Sequence, residues 1–462
     1  MSPVLERRPL ATSRNQVAGS RLLLIGGAAF AVVLAGWLGY ALTHPAWYTV
    51  DPADLHVYNS GGLIVRHVSP PYNPSFQHPL YDWPLSKTGL KFTYTPFAAL
   101  FFVPTSYLPW SVLPRLSQAA NLALLLAAAW FTLHGLGCRD RRVKAGGTLL
   151  AGAAAMFTEP VLRTFYLGQI NMLLMALIIG DLGQPDRRGY KGMATGLAAG
   201  IKLVPLVFIP YLLLTRRFRA AATACCAFAA TVGLGFIVIP GESGDWWLHG
   251  LFFADGRTGF VGWGGNQSLK GIITRFAGSI SAGNAWWWAA ALSAALIGLT
   301  TAVLLDRAGH HLLAILATAL VGLLDSPISW DHHWVWGVPG MIAAAYYACR
   351  AWRDGRRAAA RWCAALATAL LLIFAAWPGE LWSVPVTGAG DFTNGLIWAG
   401  PNSRVSAFAL FGDNPGFREY HWRGLQNVSG NAFILTGIAL LILLAVVALR
   451  TQPRRASGAR PA

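Results

Sequence analysis

Charge is what this chain has least of. Only 12% of its 462 residues are Asp, Glu, Lys or Arg, where soluble globular domains carry roughly a quarter, and 55% are hydrophobic. That balance excludes a water-soluble globular protein and implies an all-α polytopic membrane protein. Acidic residues are the scarcer sign, 19 against 36 Lys and Arg. In a soluble chain a net charge of +17 would suggest nucleic acid, a reading that the distribution of the charge removes below. Cysteine is sparse too. Cys138, Cys225, Cys226, Cys349 and Cys363 fall inside apolar runs or on their margins, without metal-like spacing, so neither a disulfide framework nor a cysteine metal site is expected. No small-residue cleavage site follows the first apolar run, which is long enough to span, so it reads as an anchor and not as a removable signal. An internal repeat of the transporter kind is also lacking.

What the chain does have is apolar runs of span length, near 22–42, 112–136, 145–160, 165–182, 220–239, 286–305, 312–326, 334–349, 362–378 and 431–449, a membrane crossing needing about 20 residues. A further apolar stretch between Gly192 and Leu214 is broken by Gly200, Lys202 and Pro205. Parity makes it a hairpin of two short helices, giving about 12 transmembrane helices in all. Alternation then gathers seven connections on the side of the N-terminus: 1–21, 139–144, 181–191, 216–219, 306–311, 350–361 and 450–462. They hold 24 of the 36 Lys and Arg and 6 of the 19 acids, a net of +18 that leaves −1 for the remainder. The positive-inside rule therefore puts both termini in the cytosol and the long loops 43–111, 240–285 and 379–430 outside. No nucleic acid is needed to explain the charge. One membrane domain over 21–450 is expected, between a cytosolic segment 1–20 and a basic cytosolic tail 451–462. Residues 95–109 are too short and Pro-marked to span and read as an interfacial helix. Trp246, Trp247, Trp286, Trp287 and Trp288 read as belt aromatics.

Polar residues recur at the external ends of these runs, where they cost solvation unless water or a partner serves them. Asp51, Asp54, His56 and Tyr58 follow the first run. Glu159 and Arg163 lead into Gln169 and Asn171. Lys202 sits at the hairpin tip, Asn266 and Gln267 in the second long loop, and Asp325, Ser329, Trp330, Asp331, His332 and His333 before a Trp-rich run. Each has a bland alternative: a solvated loop acid, an amide bonding neighbouring helices, a surface histidine pair. The two histidines with Asp325 and Asp331 lack a spacing that specifies tetrahedral ligation, so no metal is assigned. Lys202 is the hardest to dismiss, because an ammonium inside a membrane favours an anionic partner. Together the set describes one wet external cavity suited to a sugar phosphate. Tyr58 and Trp330 would stack on pyranose faces, and His56, Gln169, Asn171, Asn266 and Gln267 would bond hydroxyls. A sugar donor used outside the cell has to be carried by a lipid, whose phosphate would explain Lys202 and Arg163.

Several separated segments give the chain a family likeness: Asp54-x-x-x-Tyr58, Tyr94-Thr-Pro96, Leu167-Gly168-Gln169-Ile-Asn171, Gly196-Leu-Ala-Ala-Gly-Ile-Lys202-Leu-Val-Pro205, Asn266-Gln267-Ser268-Leu-x-Gly271 and Ser326-Pro327-Ile-Ser329-Trp330-Asp-His332-His333. In this order they resemble glycosyltransferase family 87, of the GT-C superfamily of integral-membrane glycosyltransferases that use polyprenyl-phosphate sugars. The resemblance implies a GT-C fold and an inverting transfer at the outer face of the plasma membrane. The donor would be polyprenyl-phosphate-mannose, the acceptor a glycolipid, and membrane lipids the surroundings. Within the family the likeness is to members that extend phosphatidylinositol mannosides through α-1,2 linkages. Arabinofuranosyl transfer or lipomannan branching are the alternatives, and a lipid flippase or transporter is the alternative of another class. No cofactor and no nucleotide are implied. Asp54 stands at the family's general-base position, with Asp51 in reserve. Lys202 and Arg163, joined by His332 or His333, would stabilise the departing phosphate electrostatically.

Overall fold

The computed structural model describes residues 10–43, 52–66, 79–82, 90–253, 257, 259–377, 394–398 and 418–451. Asp51 lies outside the described residues, as do 1–9, the tail 452–462 and much of the first and third long loops. The longer helices are α1 (Leu10–Thr43), α2 (Ala53–Val65), α3 (Pro96–Phe101), α4 (Leu113–Gly135), α5 (Arg141–Ala155), α6 (Glu159–Leu167), α7 (Asn171–Leu182), α8 (Met193–Ile201), α9 (Phe208–Leu214), α10 (Phe218–Val238), α11 (Leu269–Ala277), α12 (Ile280–Arg307), α13 (His311–Asp325), α14 (Gly337–Arg353), α15 (Arg357–Ile373) and α16 (Ala432–Thr451). Strand among the described residues is confined to Ala376–Trp377 paired antiparallel with Asn394–Gly395.

Among the described residues five helices are long and apolar enough to cross a membrane, namely α1 over Val17–Tyr40, α4, α10, α12 and α16. A sixth crossing results if α6 and α7 count together, although they meet at 117°. The protein is thus a helical, multi-pass membrane protein. The sequence-based count of about 12 included shorter elements. The 145–160 and 312–326 runs become the 15-residue α5 and α13, which rise only about 22 Å against a hydrocarbon core of about 30 Å. The 165–182 run, expected as one crossing, is broken at Gly168, whose φ of 68° ends α6 in the left-handed conformation.

Helix directions follow from close approaches. Gly19 faces Arg142 and Val143, Gly26 meets the Gly146 backbone, and Gly152 lies against Phe30, so α1 and α5 run parallel. Along α8, Gly192, Gly196 and Gly200 meet Ala220, Ala224 and Thr231 of α10 in ascending order. α8 therefore rises parallel to α10, while α9 descends to join it through the turn at 215–217. This is the expected hairpin. Its 3₁₀ turn at Val204–Val207 follows Lys202, which sits at the tip. Small residues every fourth position are what let two helices in a membrane approach this closely.

At the opposite end from that tip, the connections rich in Lys and Arg converge. Arg217 binds Asp306 at 2.8 Å and Asp186 at 2.9 Å, Lys191 binds Asp186 at 2.6 Å, and His311 binds Asp306 at 2.8 Å. Asp181 accepts from the backbone of Gly192 and Thr195 at 2.8 and 2.9 Å, tying the foot of α7 to the start of α8. Asp140 caps α5 through the N–H groups of Arg142 and Val143, a contact typically worth about 1 kcal/mol.

Candidate active site

Asp54 lies in the first turn of α2, entered from Pro52 in an extended conformation. Tyr58 is one helical turn on and so shares its face. What sets α2 against the bundle is Gly168: a side chain there would come within 2.6 Å of the Leu55 β-carbon. The same glycine turns the chain so that Gln169 reaches the face of Asp54 and Tyr58. The buried Tyr58 hydroxyl donates to Gln169 Oε1 at 2.6 Å and lies 2.9 Å from the Tyr94 hydroxyl, and Gln169 Nε2 donates to Tyr94 at 3.3 Å. Gln169 also hydrogen-bonds Asp54. Burial raises the Asp54 carboxyl above its ordinary range, offset in part by His332, the Gln169 bond, Lys202 and Arg163. Asp54 thus faces two permanent or near-permanent cations without a direct ion pair to either among the described contacts.

Lys202 approaches from the hairpin tip, its Nζ 2.9 Å from His333 Nε2 and over the Tyr94 ring at 5.7 Å. His333 is aimed by its other nitrogen, since Nδ1 accepts from the Trp330 backbone N–H at 3.1 Å. A cavity of about 50 Å³ lies beside this pair. Its polar end is formed by Lys202, His333 and Asn171, and its apolar wall includes Leu174, Val204 and Phe208.

His332 is held from two directions. Its Nδ1 lies 3.1 Å from Asp331 Oδ1, so Asp331 fixes the proton on Nδ1. The buried Nε2 has no hydrogen-bond partner among the described residues. Its backbone carbonyl accepts from Asn171 Nδ2 at 2.9 Å and Thr164 Oγ1 at 3.3 Å. Asp331 also pairs with Arg163 at 3.3 Å, and the Arg163 guanidinium lies 5.6 Å from the Trp398 ring. Glu159, fully buried one turn before Arg163, accepts from the Trp398 indole at 2.6 Å. No group of three His, Cys, Asp or Glu side chains suited to a metal occurs among the described residues.

Asp54, Tyr58, Gln169, Arg163, Lys202, His332 and His333 are therefore brought together, and the other sequence candidates are used differently. His56 leaves the opposite flank of α2 and stacks on Trp110 with ring centroids 3.6 Å apart. Trp330 packs edge-on against Trp263 at 5.5 Å. Asn266 directs both amide hydrogens at backbone carbonyls, those of Val261 and Pro327, and accepts from Ser329 N–H. Gln267 likewise bonds the Gly264 and Gly430 carbonyls and accepts from Ile434 N–H. Asn266 braces the second loop against the 326–331 segment and Gln267 braces it against the start of α16, as Asn171 braces His332. Their donors are occupied, which is the physical reason they are not aimed at a sugar. Residue patterns alone assigned no role to Tyr94, Trp398 or the Glu159 carboxyl. Tyr94 was signalled by its place in Tyr94-Thr-Pro96, whereas Trp398 is 239 residues from Glu159 and carried no local signal.

Against known proteins, the family model of glycosyltransferase family 87 matches residues 92–328. The chain is 35% identical over 341 residues to a polyprenol-phosphate-mannose-dependent alpha-(1-2)-phosphatidylinositol pentamannoside mannosyltransferase of Mycobacterium tuberculosis (strain CDC 1551 / Oshkosh), covering 74% of this chain and 75% of that one. It is 34% identical over 324 residues to a polyprenol-phosphate-mannose-dependent alpha-(1-2)-phosphatidylinositol mannoside mannosyltransferase of M. tuberculosis (strain ATCC 25618 / H37Rv), 66% and 74% being covered. A pentamannoside mannosyltransferase of Mycolicibacterium smegmatis is 33% identical over 378 residues, covering 80% and 88%. No solved structure matches the chain.

Proposed function

This chain belongs to glycosyltransferase family 87 and is a glycosyltransferase, and we propose that it moves mannose from polyprenyl-phosphate-mannose to a phosphatidylinositol mannoside through an α-1,2 linkage. The observation that carries this reading is one half-buried carboxylate, Asp54, under the influence of Lys202, Arg163 and His332, with Lys202 itself lining a cavity that has an apolar wall. All three relatives are named for the same donor, and they differ in the acceptor. Similar identity to both kinds supports the donor and acceptor class more than the number of mannoses already present.

In the proposed reaction the acceptor hydroxyl attacks the anomeric carbon on the face opposite the phosphate, inverting a β-linked donor to an α-linked product. Asp54 takes the hydroxyl proton as the new bond forms. General-base help of this kind is typically worth about 10² to 10⁴-fold. Lys202 and Arg163 hold the phosphate as charge gathers on the departing oxygen, and preorganised electrostatic stabilisation of that sort usually contributes more to rate than any other single effect. His332, oriented by Asp331 through Nδ1, presents Nε2 to the sugar or acceptor. Asp51 remains the reserve base, by its position three residues before Asp54. The fold is proposed to be of GT-C type, with the hairpin and the shorter helices completing about 12 membrane passages. The active-site end is proposed to face outward, because the opposite end collects the basic loops.

The test is transfer by purified full-length protein with two donors in parallel, polyprenyl-phosphate-mannose and polyprenyl-phosphate-arabinose, and a phosphatidylinositol mannoside acceptor. A mannosylated product cleaved by an α-1,2-specific mannosidase supports the reading. Preference for the arabinose donor, or a product resistant to that mannosidase, contradicts it.

A further inference from the structure

Beneath the cations of the site lies a pair of acids that the transfer step does not use. Glu159 is fully buried and Asp331 nearly so, and the two side chains are hydrogen-bond neighbours. Each has one buried oxygen without a well-aligned hydrogen bond, Glu159 Oε2 and Asp331 Oδ2, the latter 3.3 Å from Arg163 Nε. Two ionised carboxylates offer only acceptors and repel each other in a poorly solvated site. The charged and polar groups facing Glu159 are Asp331, Arg163 and the Trp398 indole N–H. Arg163 is a single cation, so it balances a single anion.

We infer that Glu159 carries a proton that it donates to Asp331, and that this neutral acid is a positioning residue for the transfer reaction. With the proton in place, Asp331 is the one anion of the cluster. It accepts from Glu159, orients His332 through Nδ1 and pairs with Arg163. Arg163 then offsets Asp331 and Glu159 adds no further negative charge, so the acid pair does not repel a lipid phosphate. If Glu159 lost its proton, the cluster would carry a net negative charge next to that phosphate. Glu159 also senses the third long loop. Its other oxygen accepts from Trp398, Gly395 packs against its carboxyl so closely that a β-carbon there would collide with Oε2, and its backbone N–H bonds the Phe374 carbonyl at 2.7 Å. The short pairing of Ala376–Trp377 with Asn394–Gly395 thus holds the lid of this acid pair.

The inference rests on the active-site reading above, and two measurements keep the two apart. The first is independent of catalysis: an infrared difference spectrum at neutral pH between full-length Asp54→Asn and the Asp54→Asn, Glu159→Gln double variant. A carboxylic C=O band lost with Glu159→Gln is expected, and a carboxylate band lost instead overturns the proton assignment. The second is transfer measured against pH. Glu159→Ala is expected to lower turnover by about 10 to 100-fold, the usual cost of removing a partner that orients a working side chain. Glu159→Gln, which still donates to Asp331 and accepts from Trp398, is expected to restore most of it and to move the alkaline limb of the profile upward. Equal losses in both variants with an unmoved limb overturn the positioning role. Wild-type transfer by Asp54→Asn alone would instead overturn the active-site reading and leave the infrared result standing.

Discussion

A single burial decides the behaviour of Asp54. Its carboxyl is raised above the ordinary range by desolvation, more than His332, Gln169, Lys202 and Arg163 pull it down, so as pH falls it takes up its proton earlier than an exposed aspartate. The acid limb of a kcat/KM profile is therefore expected above the usual carboxylate range, near 4. A limb at or below that range contradicts the assigned burial. The linkage has a definite sign. A carboxyl whose folded pKa is raised binds its proton more tightly in the folded state, so stability falls as pH rises from the unfolded value through the folded one. At this scale the sequence was legible where spacing implied a face, as for Asp54 and Tyr58, and where an intramembrane charge demanded a partner, as for Lys202. It was not legible for amides. Asn171, Asn266 and Gln267 look the same in sequence whether they bond a sugar or a carbonyl, and only the positions of the Val261, Pro327, Gly264 and Gly430 carbonyls separate the two.

The elements that matter most are those that stop short. α6 and α7 would make one crossing if Gly168 were helical, but the 117° bend presents Gln169 and Asn171 to the site. Gly168→Ala is expected to strain a φ of 68° and to press its methyl on Leu55, tilting α2 and with it Asp54. A non-glycine residue in the left-handed region costs roughly 1 to 2 kcal/mol, so the folded protein should survive with a modestly lower Tm. Transfer activity should fall by at least about tenfold, as misplacement of reacting groups by about 1 Å can cost 100-fold. Full activity in that variant, with melting measured alongside, would show that α2 is positioned by other contacts. The hairpin was legible from parity, because a single crossing there would have placed Arg216, Arg217 and Arg219 on the wrong side. The break at Gly168 was not, since an apolar run says nothing about the φ of one glycine inside it.

Over the whole molecule, polarity is divided by end. The ion pairs among Asp186, Lys191, Arg217, Asp306 and His311 sit at the foot of the bundle, and the Asp54, Lys202 and His332 cluster at its head. Charge counting found these two ends because loop charge follows topology. Five helices among the described residues meet the length and apolarity of a crossing, and the rest of the count of about 12 rests on shorter helices, because hydropathy does not distinguish a 15-residue helix enclosed by neighbours from one that reaches both membrane surfaces. If the head faces outward, single cysteines placed beside Asp54 in a cysteine-free background should react with an impermeant maleimide on intact cells, and ones beside Arg217 should not. The reverse pattern would invert the proposed orientation. The most direct test of the proposed chemistry is mannosyl transfer from polyprenyl-phosphate-mannose by purified wild-type and Asp54→Asn proteins of matched melting temperature. The variant is expected to lose about 10² to 10⁴-fold in turnover, while an undiminished rate would remove Asp54 as the base and contradict the reaction built on it.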